Sequence, residues 1–359
     1  MDNVIRLSFL GDVMCLQEQI LAIKKSGKKY DVIFDQVKHL WAESDYVVAN
    51  LETPVAGWWL RYSYENMRFN APDELASAIK NAGISFVSLA NNHILDRGVK
   101  GLNNTIKTLD LLGLEHSGAY KTKEDSERIF TKTIKGVRIA FISCTYGVNQ
   151  GLRCSFLPDD DLWKVDILKY PDVQITTKSF LIKRFISNLI PYSLKKRMRR
   201  KRKMTFTSVP DSVAVEEFDL EKNKLYLRRI LDKIKLAKKI SDFVIVLPHI
   251  GGQYCTEPGP WQRKITEAFI SAGADLIISN HAHMPLPIEV RENVLISHGL
   301  GDFCSYLPED DDMNKLCYSS NLLNIEIDKE KKALLNYSIK KVKMDNLNGV
   351  TYVKHEISK

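Results

Sequence analysis

The chain has 359 residues, 44% of them hydrophobic and 27% charged, a balance that fits a soluble globular protein with one large domain or two small ones. Its net charge is +8, and residues 195–203, KKRMRRKRK, hold eight Lys and Arg. The rest of the chain is therefore formally neutral, which argues against nucleic-acid binding by the whole surface.

The N-terminal residues MDNVIRLSFLGD pass directly into a strand pattern, with no long apolar signal core. No stretch is long and apolar enough to read as a membrane span. Cys15, Cys144, Cys154, Cys255, Cys304 and Cys317 include no CxxC pair, so a zinc ribbon or thioredoxin-like motif is not supported. A cytoplasmic, reducing location is the expectation.

Residues 4–10 read as a strand that ends at Gly11-Asp12-Val13-Met14. An Asp in that place can cap a following helix or bind a metal ion. Helical spacing recurs at Ile33, Val37 and Leu40 within a mixed stretch, 16–41. A second strand, 45–49, runs into Asn50-Leu51-Glu52-Thr53-Pro54. Pro72 and Gly83 bracket a helix over 72–83.

Phe86 to Ala90 then form a buried apolar strand that stops at Asn91, Asn92 and His93. Asn92 offers a neutral oxygen to a hard cation, and His93 can exchange a proton near neutral pH. Asp96 is placed to orient that imidazole. A helix follows over 99–113, and a hairpin pair over 129–134 and 137–143 turns at Lys135-Gly136. This strand–helix alternation predicts α/β layers.

Residues 151–220 interrupt the pattern and read as an insertion. Within it, Phe180, Leu181, Ile182, Phe185, Ile186, Leu189 and Ile190 make one apolar helical face beside the basic run. Regular order resumes with a charged helix over 221–240 and a strand, 243–248, that leads into His249. A helix over 261–272 precedes a strand at 275–279, which closes on Asn280-His281-Ala282-His283. Residues 294–297 lead to Gly301-Asp302, and alternation over 321–343 predicts a terminal β-hairpin. One domain over 1–359 is the expected organisation.

Two His separated by one residue, directly after a buried strand, are the most specific local signal. Asp12, Glu52, Asn92 and His249 also sit near strand ends. A mixture of carboxylate, amide oxygen and imidazole suits manganese, iron or zinc. Six such groups can hold two ions, with Glu52 as the natural bridge.

The ordered motifs GDVM, NLETP, LANNHILDRG, LPHIGG, NHAHMPLPIE and GLGDF resemble the CapA (PgsA) family of capsule and poly-gamma-glutamate synthesis proteins, within the calcineurin-like metallophosphoesterases. The resemblance covers most of residues 4–150 and 240–305. It implies a four-layer α/β/β/α sandwich of the metallophosphoesterase type with two divalent ions at the strand ends. Asp12 and His283 would hold the first ion. Glu52 would bridge both, and Asn92, His249 and His281 would hold the second. His93, oriented by Asp96, would protonate the leaving group. Asn50, Asn91, Gln253 and Asp302 would form the substrate rim.

Met14 stands where the superfamily usually has a further His, as in the CapA pattern itself, and this leaves the first metal with fewer ligands. Gln253, Asp302 and Ser279 are further departures, standing for Glu, Asn and Gly.

Three functions follow as candidates. The first is a metal-dependent, phosphoesterase-type hydrolase acting on an anionic capsule polymer or phosphorylated precursor. The second is a non-catalytic assembly subunit of a capsule synthesis complex. The third is a nuclease or nucleotide phosphodiesterase that uses the basic run to hold nucleic acid, the least favoured because the charge is so local. Residues 179–203 are expected to attach the protein peripherally to the inner membrane face through apolar and electrostatic contacts.

Overall fold

The computed structural model describes residues 3–63, 68–149, 157–171, 209, 211–305, 318–347 and 350–356. The segment expected at the membrane, 179–203, lies outside them, as does most of the expected insertion.

Two sheets face each other. The first sheet is ordered β14 (Val350–His355), β13 (Ala333–Leu347), β12 (Ser319–Asp328), β1 (Val4–Val13), β2 (Tyr46–Leu51), β3 (Phe86–Ser88) and β4 (Glu115–Ser117). A short strand, β11 (Asp302–Cys304), also pairs with β1. The second sheet runs β5 (Phe130–Ile134), β6 (Val137–Thr145), β7 (Phe243–His249), β8 (Leu276–Ile278), β10 (Val294–Ser297) and β9 (Ile288–Arg291).

Strand alternation divides the apolar residues into three layers. Ile5, Leu7, Phe9, Val48, Phe86, Phe141, Ile245 and Leu276 pack between the sheets. On the outer face of the first sheet, Leu10, Val47, Ala49 and Val87 meet helices α1 (Gln17–Ser26), α2 (Asp73–Asn81) and α3 (Gly98–Leu112). On the outer face of the second, Ala140, Val244, Val246 and Ile277 meet α5 (Glu221–Ile240) and α6 (Pro260–Ala272). A short helix, α4 (Lys123–Glu127), precedes β5. The result is an α/β/β/α sandwich, as the motifs implied. β1–β4 and β6–β8 run parallel where they pair, so their C-terminal ends collect at one edge.

The helix boundaries follow local chemistry. Pro72 precedes α2, and Asp73 and Glu74 lie in its first turn, where carboxylates complement the helix dipole. Gly113 and Gly273 close α3 and α6 at φ 61° and 107°, a region closed to most side chains.

Three expectations change. Ile33, Val37 and Leu40 do not belong to an α-helix; the left-handed Gly27 ends α1, and the apolar residues are buried from 3₁₀ turns at Tyr30–Ile33 and Lys38–Trp41. The terminal hairpin gains a third strand, β14, whose buried Val350 and Val353 supply its packing. β1 extends past residue 10 to Val13, because β11 pairs with its end. That pairing needs Gly11: a Cβ there would lie 1.9 Å from the Gly301 carbonyl oxygen.

Both described ends of the expected insertion are built into the core. Leu162, Val165 and Ile167 join the first outer layer, and Leu168 and Val213 join the second. Asp166 is buried and accepts from Lys233 Nζ at 2.7 and 2.6 Å and from the Tyr120 hydroxyl at 2.6 Å. Removing one member of such a pair leaves an uncompensated buried charge, which costs about 3–5 kcal/mol. Lys233→Met should therefore lower the unfolding free energy measured in urea, by less than that range because Arg229 Nη2 also lies 3.4 Å from Asp166 Oδ1. The double variant Lys233→Met/Asp166→Asn should recover part of the loss.

Candidate metal centre

The strand ends place nine polar side chains within one buried cluster. Asp12 comes from β1, Asn50 from β2, and Glu52 from the residue after it. Asn92, His93 and Asp96 follow β3, His249 ends β7, and His281 and His283 follow β8. All nine are buried.

His249 organises one side of the cluster. Its Nε2 lies 2.9 Å from Asn92 Oδ1, 3.1 Å from His281 Nδ1 and 3.3 Å from Glu52 Oε1. Its Nδ1 lies 3.2 Å from Asn50 Nδ2, and Asn50 donates to Asp12 Oδ1 at 2.6 Å. The other Asp12 oxygen accepts from the His281 backbone N–H at 3.1 Å.

Among the described residues no N–H or hydroxyl donates to either oxygen of Glu52, although both are buried. Burial, together with the neighbouring Glu52 carboxylate, pushes Asp12 up to about 7. Burial likewise raises Glu52 to about 7, against the opposing pull of His283 and His93. Two enclosed carboxylates of this kind are relieved by a shared proton or by a cation. Burial holds His249 down at about 3 and His281 well below the usual imidazole range. Neutral imidazole is the form that ligates a metal.

Three sets of donor atoms each lie within 4.8 Å of one another: Asp12, Glu52 and His249; Glu52, His281 and His283; and Asp12, His283 and Asp302. Buried carboxylates together with the neutral imidazoles of His249 and His281 are donors of the type that suits manganese, iron or zinc. Both histidines of the His-x-His pair have positive φ, 100° at His281 and 56° at His283. Non-glycine residues in this region mark a backbone held by its surroundings and cluster at functional sites.

His93 is held in one orientation by Asp96. Its Nδ1 lies 2.8 Å from Asp96 Oδ2, which leaves Nε2 facing Glu52 Oε1 at 3.9 Å. Phe69 stacks on the imidazole at 4.2 Å, and the Phe69 N–H donates to the same Asp96 oxygen at 2.6 Å.

Of the four expected rim residues, Gln253 is half-buried, with its Nε2 3.4 Å from His283 Nε2. Asn50 is instead enclosed within the cluster, and Asn91 is buried beside it, donating to the Leu51 carbonyl at 2.8 Å. Parallel pairing of β2 with β1 sets Asn50 opposite Asp12, while Asn91 lies in the turn after β3. Asp302 is also buried, with Oδ1 2.8 Å from His283 Nδ1.

Sequence reading missed Ser212, whose Oγ lies 2.7 Å from His281 Nε2, and Tyr146, whose ring packs on His281 at 4.8 Å. It missed Tyr254 too, stacked on His283 at 5.4 Å. No spacing rule ties these to the His-x-His pair; only Tyr254, two residues after the Gly-Gly that follows His249, stood near a motif.

Burial alone would lower His283, but Asp302 and Glu52 override it and raise the group to about 10. A group whose folded value exceeds its unfolded value contributes stability below the unfolded value and loses it as pH rises through the folded one. Metal-free protein should thus lose stability between about pH 6.5 and 10, by at most ~1.4 kcal/mol per pH unit from this group. In His283→Gln that contribution should be missing from denaturation midpoints measured across the same range.

Comparison with known proteins places this geometry in context. The family model "Bacterial capsule synthesis protein PGA_cap" matches residues 6–306. "Capsule biosynthesis protein CapA" of Bacillus anthracis is 26% identical over 302 residues, covering 83% of this chain and 59% of that protein. "PGA biosynthesis protein CapA" of Bacillus subtilis (strain 168) is 25% identical over 305 residues, 84% of this chain and 63% of that one. The chain thus spans about three-fifths of the length of these relatives. A solved structure titled as a novel phosphatase, from Mycoplasma pneumoniae, aligns over 95% of this chain and 94% of its own at 12% identity, with a TM-score of 0.43.

Proposed function

Because the chain belongs to the bacterial capsule synthesis protein family PGA_cap, we propose that it is a metal-dependent, phosphoesterase-type hydrolase that serves capsule or poly-glutamate synthesis. Its substrate is an anionic capsule polymer or a phosphorylated precursor of one. The observation that carries this reading is Glu52, whose two buried oxygens receive no N–H or hydroxyl donor among the described residues, amid Asp12 and three histidines. A carboxylate in that state suits a bridge between two divalent ions.

Asp12 and His283 would hold one ion, Asn92, His249 and His281 the other, and Glu52 both. Ions held there supply Lewis acidity toward a phosphoryl group and its attacking water. The protein's own contribution is orientation and proton delivery. Asp96 fixes the His93 ring through Nδ1, and Nε2 delivers a proton to the departing oxygen. Phe69 covers one face of that ring and keeps water from it.

His93→Ala should keep its metal and lose about 10²–10⁴-fold in turnover of bis-p-nitrophenyl phosphate with Mn²⁺. His281→Ala should lose at least one ion per chain by elemental analysis while keeping its helical and sheet signal. Wild-type protein that binds metal yet cleaves no phosphoester would favour a non-catalytic assembly subunit. Equal turnover in His93→Ala would remove that residue from the chemistry.

Membrane attachment through 179–203 is a companion proposal supported by sequence alone: an apolar face beside eight positive charges. No helix among the described residues is long and apolar enough to cross a membrane. Phosphatidylglycerol vesicles should sediment the full chain at low salt and release it at high salt. Deleting 179–203 should abolish that binding; equal binding without the segment would refute the proposal.

A further inference from the structure

The two halves of the candidate centre are unequally furnished. One has Asn92, His249 and His281 beside the Glu52 bridge. The other has only Asp12 and His283 beside it. Met14 lies two residues beyond Asp12 along the same chain direction, and it is buried, but its thioether is a poor donor for a divalent ion in an oxygen and nitrogen site.

Asp302 stands in the poorer half. Parallel pairing sets its Cα opposite that of Asp12. The Asp12 N–H donates to the Gly301 carbonyl at 3.0 Å. Two glycines permit this approach: Gly11, where a Cβ would collide with that carbonyl, and Gly301, at φ 85°. Donor atoms of Asp12, His283 and Asp302 fall within 4.8 Å of one another, all three residues buried. The orphaned oxygens of buried Glu52 provide the independent sign that a ligand belongs among these groups.

We propose that Asp302 is a direct ligand of the first metal ion, completing a set of Asp12, His283 and the bridging Glu52. The assignment rests on the metal-centre reading above. One Asp302 oxygen already meets His283 Nδ1 at 2.8 Å; the carboxylate has a second oxygen for the ion. The alternative role is orientation of His283 alone, as carboxylates commonly orient metal-bound imidazoles.

Asp302→Asn separates the two. It is isosteric and keeps an oxygen that accepts from His283 Nδ1–H, but it loses the anionic donor. Mn²⁺ binding to the full chain, followed by calorimetry with elemental analysis, reads the outcome without any substrate. Asp302→Asn should weaken one Mn²⁺ at least tenfold and leave the other near its wild-type affinity, and Asp302→Ala should do the same. His281→Ala should weaken the other ion instead. Circular dichroism of each metal-free variant checks that the fold is kept; because Asp302→Asn preserves volume, it reports even if Asp302→Ala unfolds. Wild-type affinity in Asp302→Asn, with or without weakening in Asp302→Ala, would overturn ligation by Asp302. Wild-type protein that binds no Mn²⁺ would overturn the metal-centre reading itself, and this assignment with it.

Discussion

The enclosure of Asp12 and Glu52 side by side is the constraint on which the rest of the structure turns. Each carboxylate is completely buried, and burial of an ionised group costs several kcal/mol unless an opposite charge or a set of donors offsets it. Asp12 has donors, from Asn50 and the His281 backbone. Glu52 has none. The surrounding imidazoles His249 and His281 are held neutral by the same burial, so they do not supply the missing positive charge. His283 does so in part, but it is engaged with Asp302. The buried carboxylates thus lack enough positive charge among the surrounding imidazoles to offset them, and a shared proton or a cation would relieve them.

Holding such a cluster together requires a stiff frame, and the two sheets provide it. The inter-sheet layer of Phe9, Phe86, Phe141, Ile245 and Leu276 fixes the spacing of the strand ends. The parallel register β1–β2–β3 lines up Asp12, Asn50 and the turn that carries His93. From the other sheet, β7 and β8 deliver His249 and the positive-φ turn of His281 and His283. Close packing of this kind is costly to distort, which is how unfavourable backbone angles persist.

Support arrives from segments that interrupt the regular pattern. Ser212 meets the outer nitrogen of His281, and such a contact selects which nitrogen faces inward. The loop after β2 brings Phe69 and Arg68 onto Asp96, so the general-acid candidate is held from both sides. Asp166 and Lys233 anchor residues 157–171 against α5 through a buried charge pair. What reads as an insertion therefore contributes to the core at both described ends.

The layered α/β architecture was legible in the sequence because it depends on local periodicity: apolar strands at 4–10, 45–49 and 243–248, and helices bounded by Pro72, Gly113 and Gly273, need only neighbours along the chain to be recognised. The types of residue at the strand ends were legible for the same reason, since Asn92-His93 and His281-Ala282-His283 follow apolar runs directly. Where those ends converge was not. That Asp302 lies opposite Asp12 depends on β11 pairing with β1 across nearly the whole chain, through glycines at 11 and 301 that only the close approach explains. That Asn50 meets Asp12 depends on the β1–β2 register, and that Asn91 reaches back to Leu51 depends on the turn after β3. That Ser212 touches His281 depends on how a loop returns to the core. Short-range propensity carries no record of such contacts; packing between distant segments decides them.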